Sequence, residues 1–133
     1  MPEQFLDGRR ALITGSSRNL GAAIAGALAR NGAGVCVQYH ESKAAADALV
    51  EALRGETGKK HAAVAGDMGD PKSIRNVVDE AAERLGGEID VLVNNVGPFS
   101  MTPYATLLEA EWDRIWDTNA KACYVATQCV AEG

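Results

Sequence analysis

Arg9-Arg10-Ala11-Leu12-Ile13-Thr14-Gly15-Ser16-Ser17-Arg18-Asn19-Leu20-Gly21 passes from a short apolar run, through a turn of small and polar residues, into an Ala-rich segment. Arg9 to Thr14 reads as a strand, because a brief apolar run bounded by Gly and Ser is a strand signature. Leu20 to Asn31 reads as a helix, with Leu20, Ala23, Ile24, Ala27 and Leu28 on one face and Asn31-Gly32 as its stop. A strand that runs through a Gly-rich turn into a helix is the opening of a βαβ unit.

The same alternation continues outward from that unit. Val35 to Tyr39 is a second strand. Lys43 to about Arg54 is a second helix, with Ala45, Ala48, Leu49 and Ala52 inward and Gly55 after it. His61 to Ala65 is a weaker third strand. Pro71 to Leu85 is a third helix, with Asp70 as cap, Pro71 in the first turn and Ile74, Val77, Val78, Ala81 and Leu85 as its stripe. Ile89 to Val93 is a fourth strand, and a last helix runs from about Ala110 to the end. Strands alternating with helices, apolar without a period of two, predict an α/β fold: a doubly wound parallel sheet covered on both faces. Four strands fall short of the six usual in such a sheet.

The chain has 133 residues, the size of one domain, with 13 basic and 18 acidic side chains and a net charge of −5. That balance argues against nucleic-acid binding, which needs a basic excess or stripe. The longest apolar run, Leu20 to Ala29, is too short to cross a bilayer. The N-terminus carries acids where a signal peptide carries bases. Cys36, Cys123 and Cys129 cannot all pair and form no CxxC, so they read as reduced thiols of a cytoplasmic protein. No metal site is expected.

A helix N-terminus presents unpaired N–H groups and a partial positive charge, so the turn at Gly15 to Gly21 suits a phosphate. Glycines there let backbone approach a pyrophosphate and let the helix pack on the sheet. Two glycines alone fit an ordinary βα turn equally well. The segment, however, resembles the short-chain dehydrogenase/reductase family, whose turn reads Thr-Gly-x-x-x-Gly-x-Gly. Asn19 stands at the middle glycine, and Asn is among the few other residues that tolerate the left-handed region. The resemblance extends along the chain. Asp67, in Gly66-Asp67-Met68, matches the family's adenine-contacting aspartate, Asn94-Asn95-Val96-Gly97 matches its Asn-Asn-Ala-Gly segment, and Asn119 matches the asparagine of the next helix. It implies a Rossmann-type fold, a nicotinamide cofactor and an oligomer in the complete protein. The implied cofactor-binding residues are Gly15, Ser17, Arg18, Asn19, Leu20, Gly21, Tyr39, His40, Ser42, Asp67, Met68, Asn95, Val96 and Gly97. Asn119 is the one implied catalytic-site residue.

NADP(H) is the expected form of the cofactor. An NAD-binding member carries an acid at the end of the second strand, where this chain has Tyr39, with Glu41 two residues later. Without an acid at that position, a 2′-phosphate meets no repulsion there. Arg18 lies where NADP-preferring relatives place a base, and His40, Ser42 and Lys43 add donors. A solvated surface charge is the alternative for Arg18, and a plain helix start is the alternative for Ser42 and Lys43.

Trp112, Ile115, Trp116, Asn119, Cys123, Ala126 and Val130 follow helical spacing, so Asn119 falls on an apolar stripe where its amide needs partners. The resemblance implies that it supports a backbone kink and a water leading to the catalytic lysine. The two tryptophans read as packing residues. Phe99 and Met101 line a substrate mouth or merely pack locally.

The family's chemistry uses Ser, Tyr and Lys, with Tyr and Lys in a Tyr-x-x-x-Lys motif beyond the helical asparagine. No such motif follows Asn119 here, and Tyr124-x-x-x-Gln128 lacks the lysine. The reading is therefore the cofactor-binding portion, residues 1–133, of an NADP(H)-dependent reductase. Its substrate would be a small carbonyl or alcohol, and its general likeness is to 3-oxoacyl-[acyl-carrier-protein] reductases. The portion alone is expected to be truncated, inactive and poorly soluble. A non-catalytic NADP(H)-binding module and an interaction fragment remain the alternatives.

Overall fold

The computed structural model describes residues 4–132. Four strands, β1 (Arg10–Ile13), β2 (Gly34–Tyr39), β3 (Ala62–Ala65) and β4 (Val91–Val93), form one parallel sheet in the order β3-β2-β1-β4. Leu12 sits level with Cys36 on one side and Leu92 on the other. The helices are α1 (Asn19–Arg30), α2 (Lys43–Thr57) and α3 (Pro71–Leu85), followed by a fourth in two pieces. Its pieces, α4 (Glu109–Trp116) and α5 (Ala122–Glu132), are joined by a π-turn at Asp117–Lys121, and a 3-10 turn at Tyr104–Thr106 precedes them.

Side chains alternate across a strand, so each strand feeds two cores. Ala11, Ile13, Val35 and Val37 pack with Ala25 and Ala29 of α1 and with Ala46, Val50 and Leu53 of α2. Leu12, Cys36, Ala62 and Val64 face the other way, onto the α3 stripe and onto Ala122, Val125 and Ala126 of α5. The two-faced cover predicted from the unbroken apolar strands is present. Burial pushes the Cys36 thiol up to about 12, so it stays protonated, and all three cysteines are unpaired.

The stripe of α3 is the predicted one, Ile74, Val77, Val78, Ala81 and Leu85. Asp70 caps it by accepting from Lys72 N at 3.1 Å. The faces of α1 and α2 differ in part from expectation: Ile24, Leu28 and Leu49 do pack, partly buried, against the core, but they lie at the edge of the buried face. α1 buries Gly21, Ala25, Gly26 and Ala29, while Leu20 is 66% exposed and Ala23 and Ala27 face solvent. Its smallest residues lie against the sheet because they allow the closest approach. α2 buries Ala46, Val50 and Leu53 and passes Gly55, ending at Gly58, whose φ of 67° makes the left-handed cap. The tryptophan stripe also fails: Trp112 and Trp116 are 57% and 58% exposed. The π-turn rotates α5 relative to α4, so only the α5 part of that stripe reaches the core.

Candidate functional site: a dinucleotide cleft

The turn after β1 is held by a polar web at the C-terminal ends of the strands. Gly15 has φ 59° and Asn19 φ 55°, both left-handed. Asn19 thus adopts the conformation for which glycine is usual, as its residue type allows. A Cβ on Gly21 would come within 2.7 Å of Asn95 Nδ2 and collide with backbone of the turn. Only glycine fits there. α1 starts at Asn19 with no side-chain cap and no acid in its first turn, so its N-terminal dipole is left for an anion.

Three residues that sequence reasoning did not assign to the site fix this turn. Gln38 is 1% exposed; its Oε1 accepts from Gly15 N at 2.7 Å and its Nε2 donates to Gly66 O at 2.9 Å. Ser16 Oγ donates to Ile13 O at 2.6 Å and accepts from Gln38 N at 3.2 Å. Thr14 Oγ1 accepts from Asn95 N at 2.9 Å and Val96 N at 3.1 Å. The segment after β4 is thereby tied to the turn after β1, and Asn95 Nδ2 adds a bond to Gly15 O at 2.9 Å. A glutamine inside an apolar strand was the available signal, since a buried amide must be bonded.

Two clefts open over this web and share Gly15 and His40. The larger, 630 Å³, is lined by Gln38, Gly66, Asp67, Met68, Gly69 and Val96 on the sheet side, and by Pro98, Arg114, Asp117 and Thr118 across from them. Asp67 is exposed there and shaped by its neighbours: its N–H donates to Ser73 Oγ at 2.8 Å and its Oδ1 accepts from Gly69 N at 2.8 Å. The smaller, 320 Å³, is lined by Ser17, Arg18, Asn19, Tyr39, Glu41 and Ser42. Lys43, a candidate donor, is committed elsewhere, with Nζ 2.5 Å from Asp47 Oδ2. Ser42 precedes α2 without making a side-chain cap bond. Of the other anticipated residues, Leu20, Gly21, Asn95 and Gly97 line neither cleft. Gly21 and Asn95 support the floor, and Leu20 points to solvent.

The model of the short chain dehydrogenase family matches residues 9–133. The chain belongs to that family. It is 41% identical over 127 residues to an uncharacterized oxidoreductase of Methylorubrum extorquens, covering 96% of this chain and 50% of that protein. A short chain dehydrogenase of Burkholderia cenocepacia solved in complex with NADP superposes with a TM-score of 0.91 at 40% identity, over 96% of this chain and 51% of that one. A blue fluorescent protein from a metagenomic library, solved in complex with NADPH, does so with a TM-score of 0.91 at 36% identity, over 96% and 52%. The chain spans about half the length of the curated relatives it matches.

The remaining anticipated residue, Asn119, lines neither cleft. It lies in the π-turn, half-buried, and its Nδ2 donates to Pro98 O and Ile115 O, each at 2.8 Å. The amide that the apolar stripe left without partners thus joins the loop after β4 to the helix. Taking the Ile115 carbonyl inserts a side chain into the helical ladder, a recognised origin of such kinks. Gly97 is pressed against it: a Cβ there would lie 2.7 Å from Asn119 Oδ1. On its other side Asn119 borders a groove of 480 Å³ with Phe99, Trp112 and Trp116. Phe99 lines this groove, whereas Met101 is 86% exposed. Ser100 Oγ and Thr102 Oγ1 both donate to Glu111, holding its carboxyl below the usual range and pinning the loop to α4.

Proposed function

We propose that residues 1–133 are the NADP(H)-binding portion of a reductase that transfers hydride between a nicotinamide and a small carbonyl or alcohol. The observation that carries the reading is the smaller cleft, with Arg18, His40 and Ser42 on its walls and Tyr39 in place of a strand-end acid. An acid at that position accepts from ribose hydroxyls and repels a 2′-phosphate, while a guanidinium favours the phosphate. Gly15, Ser17, Asn19 and Gly21, with the uncapped start of α1, would hold the pyrophosphate. Asp67 and Met68 would hold the adenine, and Asn95, Val96 and Gly97 the far half of the dinucleotide. Leu20 would add its backbone N–H. The cofactor supplies hydride, and the carbonyl also needs a proton. No Tyr-x-x-x-Lys follows Asn119 to give it; the one match to that spacing, Tyr39 to Lys43, lies at the end of β2 with Lys43 paired to Asp47, and Asn119 contributes as a positioning group. A 3-oxoacyl-[acyl-carrier-protein]-type substrate is the finer form of the reading. The complete protein would act in the cytoplasm as a homo-oligomer.

A non-catalytic NADP(H)-binding module, holding the same cofactor in the same cleft, is the second reading. Calorimetric titration with NADP+ and NAD+ tests the binding common to both. NADP+ should bind more tightly, and Arg18→Ala should weaken NADP+ about 10-fold while sparing NAD+. Equal losses for both would remove the specificity role of Arg18. With a panel of ketones the 133-residue chain should oxidise no NADPH. Turnover above a denatured control would show that it carries a proton donor of its own.

A further inference from the structure

The floor of the larger cleft holds one amide that serves two segments of the site. Gln38 is buried in β2 and lines the larger cleft but not the smaller. On one side it accepts from Gly15 N at 2.7 Å, and on the other it donates to Gly66 O at 2.9 Å. β2 separates β1 from β3 in the sheet, so no ladder bond joins the turn after β1 to the segment after β3. Among the described residues Gln38 is the only side chain bonded to both. Its sense is fixed as well: Gly15 offers a donor and Gly66 an acceptor, so the amide oxygen and nitrogen cannot trade places.

The Gly66–Asp67 peptide is gripped at both ends. A trans peptide directs its carbonyl and its N–H to opposite sides. Here the carbonyl meets Gln38 Nε2, and the Asp67 N–H meets Ser73 Oγ of α3 at 2.8 Å. A Cβ on Gly66 would lie 2.2 Å from Val77 Cγ2, so the peptide also sits hard against α3. We infer that Gln38 is a positioning residue for the dinucleotide: it sets the Asp67 segment and the left-handed Gly15 turn in one register, so that the adenine and pyrophosphate parts of the cofactor are met together. The inference rests on the NADP(H) reading above. Arg18 and Ser42, the groups assigned to the 2′-phosphate, line the other cleft, so Gln38 acts on what NADP and NAD share.

The test is calorimetric binding of NADP+ and of NAD+ to the 133-residue chain and its variants, with each dissociation constant referred to the folded fraction seen by circular dichroism. Gln38→Leu removes both bonds and adds no charge. It should weaken both cofactors about 10-fold and leave their ratio unchanged. Gln38→Glu keeps an acceptor for Gly15 but, when ionised, turns an oxygen on Gly66 O. Burial favours the neutral acid, whose O–H donates in place of Nε2. Its deficit against wild type should therefore exceed 10-fold at about pH 8 and shrink to about threefold at about pH 5.5, while that of Gln38→Leu persists. His40, Asp67, Arg114 and Asp117 line this cleft in wild type and variant alike, so comparison at one pH cancels their titration and that of the 2′-phosphate. Ser73→Ala releases the other end of the peptide from a half-buried position and should weaken both cofactors about threefold. It decides the matter if Gln38→Leu does not fold. Wild-type affinity per folded chain in these variants, a deficit for NADP+ alone, or no recovery of Gln38→Glu in acid overturns the role of Gln38 and leaves the NADP(H) reading standing. Failure of the wild-type chain to bind NADP+ removes that reading and this inference with it.

Discussion

The two margins of the sheet are built differently. At β3 the outer carbonyls are closed by side chains: Arg84 donates to Ala63 O and Arg54 to His61 O, each at 3.2 Å. Both arginines also pair with acids, Glu80 and Glu51, so the margin is charged. At β4 all three residues are half-buried, and among the described residues no strand or arginine covers the outer side. Among the described residues, seven of the nine large exposed apolar side chains lie after this strand, from Phe99 to Tyr124. Native sheets protect an outside edge with charge, and broad apolar surface marks a contact yet to be made. The β3 margin is constructed as an exterior and the β4 margin as an interior.

The strongest way to break this comparison is sedimentation of the 133-residue chain. Association is expected, through the β4 side, with a broad thermal transition. A monodisperse monomer with a sharp melt would refute the contrast. Next in size, Leu12→Ala, in the covered core, should cost about 2–5 kcal/mol in denaturant titration, whereas Trp112→Ala should stay within about 0.5 kcal/mol. Similar losses would mean that the apolar surface after β4 already supports the fold.

The closed margin should also carry a pH signature. His61 is 2% exposed; its Nδ1 accepts from Val35 N at 3.1 Å and its Nε2 donates to Thr57 Oγ1 at 2.7 Å. The bond accepted by Nδ1 needs a neutral ring, whereas the one donated by Nε2 does not. Burial first, then the charges of Arg54 and Lys59, hold its pKa below the ordinary 6.5. As pH falls the unfolded chain takes up this proton before the folded one does. Stability is therefore complete above about pH 6.5 and declines below it. His61→Gln should flatten that part of the profile, and an unchanged slope would place the titration elsewhere. The smallest effect is that of the two arginine caps. Arg54→Ala with Arg84→Ala should cost no more than about 1 kcal/mol yet add association at the β3 edge. Glu80→Ala, which leaves the Arg84 cap in place, should add none.

The order of elements, the parallel sheet and the α3 face were legible because α3 places large apolar residues at helical spacing against charged ones. The faces of α1 and α2 were not, because alanine on every side gives period without direction. The side that packs is chosen by how closely backbone can approach the sheet. In the site, Asn19 could be read from its conformational tolerance alone. Gln38 could not be assigned, because its partners Gly15 and Gly66 are 23 and 28 residues away. The exposed tryptophans were misread for a related reason: the period was sound, but the phase slips at the π-turn.

That slip makes residues 117–121 act as a crank. Each helical residue turns the chain by about 100°, so a one-residue insertion there, beyond the extra residue that the π-turn already absorbs, would swing all of α5 by that angle. Val125 and Ala126 would then leave the core opposite α3. The insertion would look harmless in local propensity and be ruinous in phase. In descent, then, the length of this segment should be guarded more closely than most of the side chains it carries.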